Sequence, residues 1–369
     1  MSRFRVCFVS LEAYTFFVPT EGVSTGGAER QLSLLGRELA ADLDVHFVVG
    51  DYGQAETSRA DGVTLHRAYR PAASATPVRR LGHLRSLFHA MRRADADVYV
   101  VRGDELLATA CYTFARLLGR RWVYNLAVDS QAERSPGPVG RLTDRVFGAM
   151  LRDADHVIAQ SSHQQRRLRA SFAVDATVVP NGYPVLDGGT ESSPREAFLF
   201  VGRLDPGQKR PHLFLDLAER VPAASFVLVG PDSADERYSR AVASRARRLD
   251  NVEFLGRLPP EEVYDQYDRA LALVNTSTQE GFPNTFLEAW RAATPVVSLT
   301  VDPGRFLDGA AVGCADGSFE ELVALTEHVV ADPERWTAIG RDHRAAFEAR
   351  YGIAECATRY ANALTHALD

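Results

Sequence analysis

The chain has 369 residues, of which 46% are hydrophobic and 24% are charged. This composition is typical of a folded globular protein of about two domains, and it excludes a disordered chain, a fibrous repeat and a disulfide scaffold. No run approaches the ~18 consecutive apolar residues of a transmembrane helix. The first residues are too few and too charged for a secretory signal, and the four cysteines lack metal-ligand spacing, so a cytoplasmic protein with reduced thiols is expected.

The charge is unevenly distributed along the chain. Residues 1–185 contain 23 basic and 19 acidic residues, whereas residues 186–369 contain 19 and 29, so the balance is +4 in the first part and −10 in the second. A mildly basic first half suits an anionic surface or acceptor, although divergence between two domains is the simpler explanation. Arginine supplies 41 of the 42 basic residues, and Lys209 is the only lysine.

Apolar runs of strand length alternate with amphipathic helical segments throughout the chain. The first half predicts strands at 4–10, 45–50, 63–68, 98–103, 122–128, 156–161 and 176–180, with helices at 27–41, 78–93, 105–118, 138–151 and 162–171. The second half predicts strands at 197–202, 225–230, 252–256, 270–275 and 295–299, with helices at 209–220, 235–248, 260–268, 284–292, 318–331, 333–349 and 352–367.

Continuous apolar strands that alternate with helices indicate parallel sheets covered on both faces. The pattern occurs twice, so the sequence predicts an α/β protein with two doubly wound, Rossmann-like domains, residues 1–185 and 186–350, and a last helix within 351–369. The polar stretch 181–196 is the predicted linker. Such sheets bind ligands at the carboxyl ends of their strands, and we expect these edges to face each other across a cleft.

A glycine-containing loop opens the first long helix. Gly26 and Gly27 stand at its start, where backbone N–H groups can approach a phosphate at the positive end of the helix dipole. The spacing is not the dinucleotide-binding fingerprint, and a plain flexible loop explains it equally well.

Two cations follow the strand predicted at 197–202. Arg203 comes directly after the strand, and Lys209 begins the next predicted helix. Cations are poorly placed at a helix start because of the dipole, and a bound diphosphate would remove that conflict. A solvated basic loop is the alternative.

Two carboxylates flank another helix start, in the segment EGFPNTFLEA (280–289). Pro283 suits the first helical position, which would point the N–H groups of nearby residues out of the helix. Glu280 would lie in the loop, and Glu288 about one turn inside the helix. Carboxylates in these places can hold the hydroxyl groups of a sugar and of a ribose; a capping carboxylate with a surface glutamate is the alternative.

The whole set of motifs resembles the retaining glycosyltransferases of the GT-B fold, glycosyltransferase family 4 (glycosyl transferases group 1). The resemblance covers nearly the whole chain and rests on GGAERQ (26–31), VVPNG (178–182), GRLDPGQKR (202–210), FLG (254–256), EGFPNTFLEA (280–289) and PVVS (295–298). The Glu-x7-Glu element, together with Arg-x5-Lys about 75 residues upstream, is its specific part.

The resemblance implies a UDP- or GDP-sugar donor bound by domain 186–350 and a glycan or lipid-linked acceptor bound by domain 1–185. It also implies that the last helix, within 351–369, crosses back and packs on the first domain. Arg203 and Lys209 would neutralise the donor diphosphate, with Gly26 and Gly27 opening a loop that offers backbone N–H groups to the same phosphates. Glu288 would bind the ribose diol. Glu280 would position the donor sugar together with the amides of the segment Gly281, Phe282, Pro283, Asn284 and Thr285. No metal or other cofactor is expected, since the two cations supply the positive charge.

One position departs from the family pattern. Many relatives carry a histidine after the fifth strand of the first domain, near the reacting sugar, whereas this chain reads YNLAVDS over 124–130. Asp129 is the polar residue best placed to substitute for it. The Asp-x-Asp sequences at 95–97 and 153–155 each end a helix and lead into a strand, so they are interpreted as turns rather than metal sites.

The predicted helix 78–93 contains five arginines and no acidic residue. Its apolar residues have helical spacing, so a helix that covers the sheet is one interpretation. The other is peripheral contact with an anionic bilayer, at the inner face of the cell membrane, as in relatives with lipid-linked acceptors. No nucleic-acid partner is expected.

Three functions are compatible with these residues. Retaining sugar transfer by front-side displacement is the leading hypothesis. A nucleotide-sugar 2-epimerase of the same fold would act without an acceptor, and a non-catalytic sugar-binding protein would not need the pair Arg203 and Lys209.

Overall fold

The strands of the sequence form two separate sheets, described by a computed structural model over residues 4–18, 26–71, 77–135, 137–185, 195–303 and 313–369. The chain divides into a first unit, Met1–Pro184 with Ile353–Asp369, and a second unit, Val185–Gly352. Most of the predicted linker, residues 186–194, lies outside the described residues.

The sheet of the first unit has the order β3-β4-β2-β1-β5-β6-β7-β8. Its strands are β1 (Arg5–Val9), β2 (Asp44–Val49), β3 (Thr57–Ala60), β4 (Val63–Arg67), β5 (Val98–Arg102), β6 (Arg121–Asn125), β7 (His156–Ala159) and β8 (Thr177–Val178). Every described neighbouring pair is parallel except β3 with β4. The expected doubly wound sheet is therefore present, with one antiparallel edge strand added.

The edge strand β3 was not predicted, because its largely exposed residues carry no apolar pattern. The connecting residues Asp61 and Gly62 have φ angles of 48° and 80°. Two central residues in the left-handed region form the hairpin turn that matches strand twist, and Asp-Gly is its preferred sequence. This dipeptide was the available signal for the hairpin.

The sheet of the second unit has the order β11-β10-β9-β12-β13, and all its pairs are parallel. Its strands are β9 (Ala197–Val201), β10 (Ser225–Val229), β11 (Val252–Gly256), β12 (Ala270–Asn275) and β13 (Val296–Ser298). Because β9 lies between β10 and β12, the chain direction along the sheet reverses beside β9. This reversal is where doubly wound sheets open a ligand crevice.

Helices connect the strands and cover the sheets. They are α1 (Tyr14–Phe17), α2 (Gly27–Leu39), α3 (Pro77–Ala94), α4 (Glu105–Leu117), α5 (Gly137–Asp153), α6 (Ser162–Phe172), α7 (Pro211–Arg220), α8 (Glu236–Ala246), α9 (Pro260–Arg269), α10 (Asn284–Arg291), α11 (Phe319–Ala331), α12 (Pro333–Arg350) and α13 (Ile353–Leu368), with a 3-10 turn at Asp129–Ala132. Helix α13 belongs to the first unit.

Both faces of the first sheet are buried, as its continuous apolar strands predict. Side chains alternate along a strand, so Tyr99 and Val101 of β5 face one apolar cluster while Val98 and Val100 face the other. Helix α13 contributes to the second cluster, where the Tyr360 ring lies 6.0 Å from that of Phe8. The last helix of the chain is thus part of the first unit's core.

Candidate active site

The loops that follow β9 and β12 lie side by side, because these strands are neighbours and run in parallel. The Thr278 N–H donates a hydrogen bond to the Gln208 carbonyl at 2.9 Å. The Thr276 hydroxyl donates to the Lys209 carbonyl at 2.7 Å, and Arg210 Nε donates to the Thr276 carbonyl at 2.7 Å. These bonds join segment 203–210 to segment 276–280 at the carboxyl edge of the second sheet.

A side-chain turn shapes the first of these loops. Asp205 Oδ1 accepts hydrogen bonds from the N–H groups of Gly207 and Gln208 at 3.0 and 2.6 Å. Such a bond to the backbone two residues on stabilises a turn without a regular element. The sequence did not single out Asp205 as a structural residue, although Asp-Pro-Gly is a common turn sequence.

Lys209 lies in this turn rather than in the helix predicted to begin with it. Helix α7 starts at Pro211, and Arg210 precedes it with φ of 51° in the left-handed region. Pro211 has the fixed φ that suits a first helical residue. The prediction of a helix from residue 209 was therefore wrong by two residues, and Lys209 is held by loop contacts instead.

Lys209 Nζ forms an ion pair with Glu280 Oε1, and the two side chains are 20% and 12% exposed. The structure thus brings together the lysine predicted to bind diphosphate and the carboxylate predicted to bind a sugar. Arg203 is exposed, and its side chain has no hydrogen bond or ion pair within the described ranges. Of the two predicted cations, one is held in place and the other projects from the loop.

The start of helix α10 lies directly after Glu280. The N-cap residue Pro283 forms no side-chain capping bond, and Asn284 and Thr285 are the first residues of the helix. The sequence predicted Pro283 as the first residue of the helix. In the structure Pro283 is the residue before the helix. Since proline has no N–H, Pro283 cannot contribute an amide, and its role is conformational.

The side chain of Phe282 is a packing residue. Its ring lies 5.1 Å from that of Tyr351 and 6.2 Å from that of Trp290, and it is buried. Gly281 is buried beside it. Only the backbone of these two residues remains available for a ligand, while the ring fixes the loop between Glu280 and α10.

Glu288 is buried inside α10, with 4% of its surface exposed. Its Oε2 accepts a hydrogen bond at 2.8 Å from the hydroxyl of Tyr267, a fully buried residue of α9. The alternative of a surface glutamate is therefore wrong. Nothing in the sequence pointed to Tyr267, because the pairing depends on how α9 packs against α10.

The remaining predicted residues belong to the first unit. Gly26 has an extended backbone and directly precedes α2, whose first residue is Gly27. Asp129 opens the 3-10 turn after β6 and is partly buried. Its Oδ1 accepts a hydrogen bond from Gln164 Nε2 of α6 at 3.0 Å. Asp129 is thus held at the carboxyl end of a strand, as the sequence placed it.

The described ranges lack a metal-ligand cluster and a helix that could span a membrane. These residues include no group of three or more histidines, cysteines and carboxylates arranged to hold a metal ion. None of their helices combines the length and apolar character needed to cross a bilayer.

Both parts of the chain match glycosyltransferase families. Residues 195–332 match the family described as Glycosyl transferases group 1, and residues 26–182 match the Glycosyl transferase 4-like domain. A D-inositol 3-phosphate glycosyltransferase from Geodermatophilus obscurus is 28% identical over 234 residues, which cover 55% of this chain and 52% of that protein. The chain spans between half and two thirds of the length of the curated relatives it matches.

Solved structures share the fold. Sucrose-phosphate synthase from Thermosynechococcus elongatus superposes with a TM-score of 0.78 at 19% identity, covering 98% of both chains. HepE from Anabaena, in complex with UDP and glucose, gives a TM-score of 0.75 at 16% identity over 98% of this chain and 100% of that one. With two parallel sheets, the GT-B fold and matches over both units, the chain belongs to the glycosyl transferases group 1, of the glycosyltransferase 4-like type.

Proposed function

We propose that this protein transfers a sugar from a UDP- or GDP-sugar to an acceptor hydroxyl, with retention of anomeric configuration. The observation that carries the proposal is the contact between Lys209 and Glu280 beside the start of α10. It places a cation, a carboxylate and a helix N-terminus within one loop cluster at the ligand-binding edge of the sheet. The cation and the start of the helix can bind a diphosphate, and the carboxylate can bind hydroxyl groups of the sugar attached to it.

The proposed chemistry is a front-side displacement. The acceptor oxygen forms a bond to the anomeric carbon while the bond from that carbon to the donor phosphate oxygen breaks. The acceptor proton passes to the departing phosphate oxygen, and the nucleoside diphosphate leaves. Arg203 and Lys209 stabilise the negative charge that develops on the diphosphate. Glu280 is released from Lys209 as the phosphates arrive and binds sugar hydroxyl groups.

The same arrangement supports transfer without a metal ion. In this proposal the two cations supply the charge that a divalent ion supplies in other transferases. EDTA should leave turnover largely unchanged. Complete loss of activity that Mn²⁺ restores would contradict this part of the proposal.

The relatives support the choice of substrates to test first. HepE was solved with UDP and glucose, which makes UDP-glucose the first donor to try. The name of the Geodermatophilus relative specifies an inositol phosphate, which favours an acceptor that carries phosphate.

The first unit offers a surface for an anionic acceptor or membrane. The N-terminal half of α3 presents Leu81 and Leu84 to solvent, 66% and 42% exposed, among exposed arginines. The C-terminal half is packed on the sheet through Leu87 and Met91. A cavity of about 660 Å³ adjoins that half and is lined by Asp51, Glu56, Arg67, Ala68, Ser86, His89, Arg92 and Arg93. These exposed residues support our proposal that the protein makes peripheral contact with anionic lipid at the inner face of the cell membrane.

The decisive experiment combines binding with product analysis. Thermal unfolding of the full chain with UDP, GDP and ADP identifies the base, because specific binding raises the Tm. The matching sugar donor is then incubated with phosphorylated and unphosphorylated acceptors, and the anomeric configuration is read by proton NMR. A retained linkage supports the proposal. Conversion of the donor without an acceptor identifies an epimerase, and donor binding without turnover identifies a binding protein.

A further inference from the structure

A small cavity lies within the first unit. Its volume is about 20 Å³, which is room for one water-sized or halide-sized species. It is bounded by α2, the end of β5, the segment before the unit boundary, and α13. Its lining includes Gln31, Arg102, Asn181, Gly182 and Tyr360.

Three of the lining residues carry buried polar atoms without a hydrogen-bond partner among the described residues: Gln31 Nε2, Arg102 Nε and the Tyr360 hydroxyl. Gln31 and Tyr360 are themselves 2% and 3% exposed. Buried polar groups are nearly always satisfied, so three such atoms around one cavity require a ligand or an ordered solvent molecule.

All three groups are hydrogen-bond donors. The amide nitrogen of Gln31 carries two hydrogens, Arg102 Nε carries one, and the Tyr360 hydroxyl carries one. Burial raises the pKa of Tyr360, so its hydroxyl stays protonated at neutral pH. The amide oxygen of Gln31 accepts a hydrogen bond from the Gly182 N–H at 3.1 Å. This bond fixes the orientation of the amide group, whose nitrogen has no hydrogen-bond partner among the described residues.

The charge of Arg102 is also uncompensated. Its Nη2 donates to Asn181 Oδ1 at 2.7 Å, but no carboxylate within the described ranges lies within ion-pair distance of the guanidinium. Among the described residues, Glu29 is the carboxylate that attracts it, at longer range. Burial lowers the pKa of Arg102 to about 10, which leaves it charged at neutral pH.

A water molecule fits this environment poorly. Its two lone pairs accept two hydrogen bonds, whereas three donor groups without partners in the described part of the chain line the cavity, and it brings no charge to offset the guanidinium. We infer that the cavity binds a single monatomic anion, of which chloride is the abundant example, held by Gln31, Arg102 and Tyr360. The anion joins α2, β5 and α13, and so ties the last helix of the chain to the sheet of the first unit.

The inference is independent of the proposed transfer reaction, and its test needs no substrate. The Tm of the full chain is measured in sodium chloride, bromide, phosphate and gluconate at equal ionic strength. We expect a saturable rise of ~2–4 °C with chloride and bromide over gluconate, and none with phosphate, which is too large for the cavity. Crystals soaked in sodium bromide should show an anomalous peak between the three residues.

Two variants make the test specific. Tyr360→Phe keeps the ring and removes one donor, so halide affinity should fall about tenfold or more. Tyr99→Phe is the matched control, since it removes a buried hydroxyl that bonds Met91 and Ala96 elsewhere in the same unit, and its halide response should equal that of the wild type. Arg102→Met should abolish the response. A response equal in wild type and Tyr360→Phe, a response to phosphate, or no response with no bromide peak would overturn the inference.

Discussion

Lys209 and Glu280 are separated by 71 positions in the sequence and form an ion pair in the folded chain. The pair exists because β9 and β12 are adjacent, so that the loops after them meet. In the proposed function, the donor diphosphate would replace the Glu280 carboxylate as the anionic partner of Lys209.

Replacing Lys209 with alanine should lower kcat/KM by roughly 10²–10³, the effect of removing one preorganised charge partner of a transition state. The measurement is steady-state transfer with the donor identified by thermal shift. Arg220→Ala is the matched control, because Arg220 ends the helix that follows Lys209 and its exposed ion pair with Glu320 contributes little. Loss of activity in both variants would point to a general effect on α7.

Arg203→Ala should reduce turnover without changing stability. The side chain is exposed and makes no hydrogen bond or ion pair in the described ranges that its removal would break. Activity should fall by roughly 10²-fold or more, while the Tm stays within about 1 °C of the wild type. The double variant Arg203→Ala/Lys209→Ala provides the decisive comparison, and wild-type turnover in that variant would eliminate the diphosphate assignment.

Glu288 combines a predicted binding role with a packing role, and two variants separate them. Glu288→Ala leaves the buried Tyr267 hydroxyl without its acceptor, so it should cost about 1–3 kcal/mol of stability as well as nucleotide affinity. Tyr267→Phe removes the same hydrogen bond but keeps the carboxylate. Nucleotide affinity should therefore fall more in Glu288→Ala than in Tyr267→Phe, and equal affinities would reduce Glu288 to a structural residue.

The stability of the first unit should fall below pH 6.5 because of a buried histidine pair. His46 Nδ1 and His66 Nε2 lie 2.8 Å apart between β2 and β4. Burial, with the neighbouring charge of His46, lowers the pKa of His66 from its ordinary 6.5 to about 4, and burial also lowers the pKa of His46. Between these values the unfolded chain binds a proton that the folded chain does not, so acid favours unfolding.

The contribution of His66 is intact above pH 6.5 and is lost progressively as the pH falls toward 4. The stability lost at pH 5 is about 2 kcal/mol. Thermal unfolding at pH 7 and pH 5 measures it. The fall in Tm should be smaller in His66→Gln than in wild type, whereas replacing the exposed His89 in the same way should leave the fall unchanged. An undiminished fall in His66→Gln would assign the acid sensitivity to other groups.

Membrane association should depend on salt and on α3. Each arginine near an anionic surface contributes about 1 kcal/mol, and the attraction fades beyond a Debye length. The protein should float with anionic liposomes at low salt and less at high salt. Replacing Arg79, Arg80, Arg85, Arg92 and Arg93 with glutamine should abolish flotation; retention of binding in that variant, or its absence in the wild type at low salt, would favour a soluble acceptor.

The sequence predicted the elements well because apolar periodicity reports burial directly. The strands 98–103 and 197–202, for example, appear as Val98–Arg102 and Ala197–Val201. The sequence was less accurate at helix starts, where the backbone conformation depends on contacts with neighbouring residues. Helix α7 begins two residues late because the Asp205 turn and the left-handed Arg210 come first, and Pro283 precedes α10 instead of opening it.

The sequence by itself determined the two α/β units, the order of their elements and the identity of the charged residues at the candidate site, since these follow from local pattern and motif spacing. Only the tertiary structure decided which of those residues meet. Three features each join segments distant in the chain: the ion pair of Lys209 with Glu280, the hydrogen bond between Glu288 and Tyr267, and the cavity beside Arg102 that is lined by hydrogen-bond donors. Strand order and helix packing set such contacts, and no local pattern encodes them.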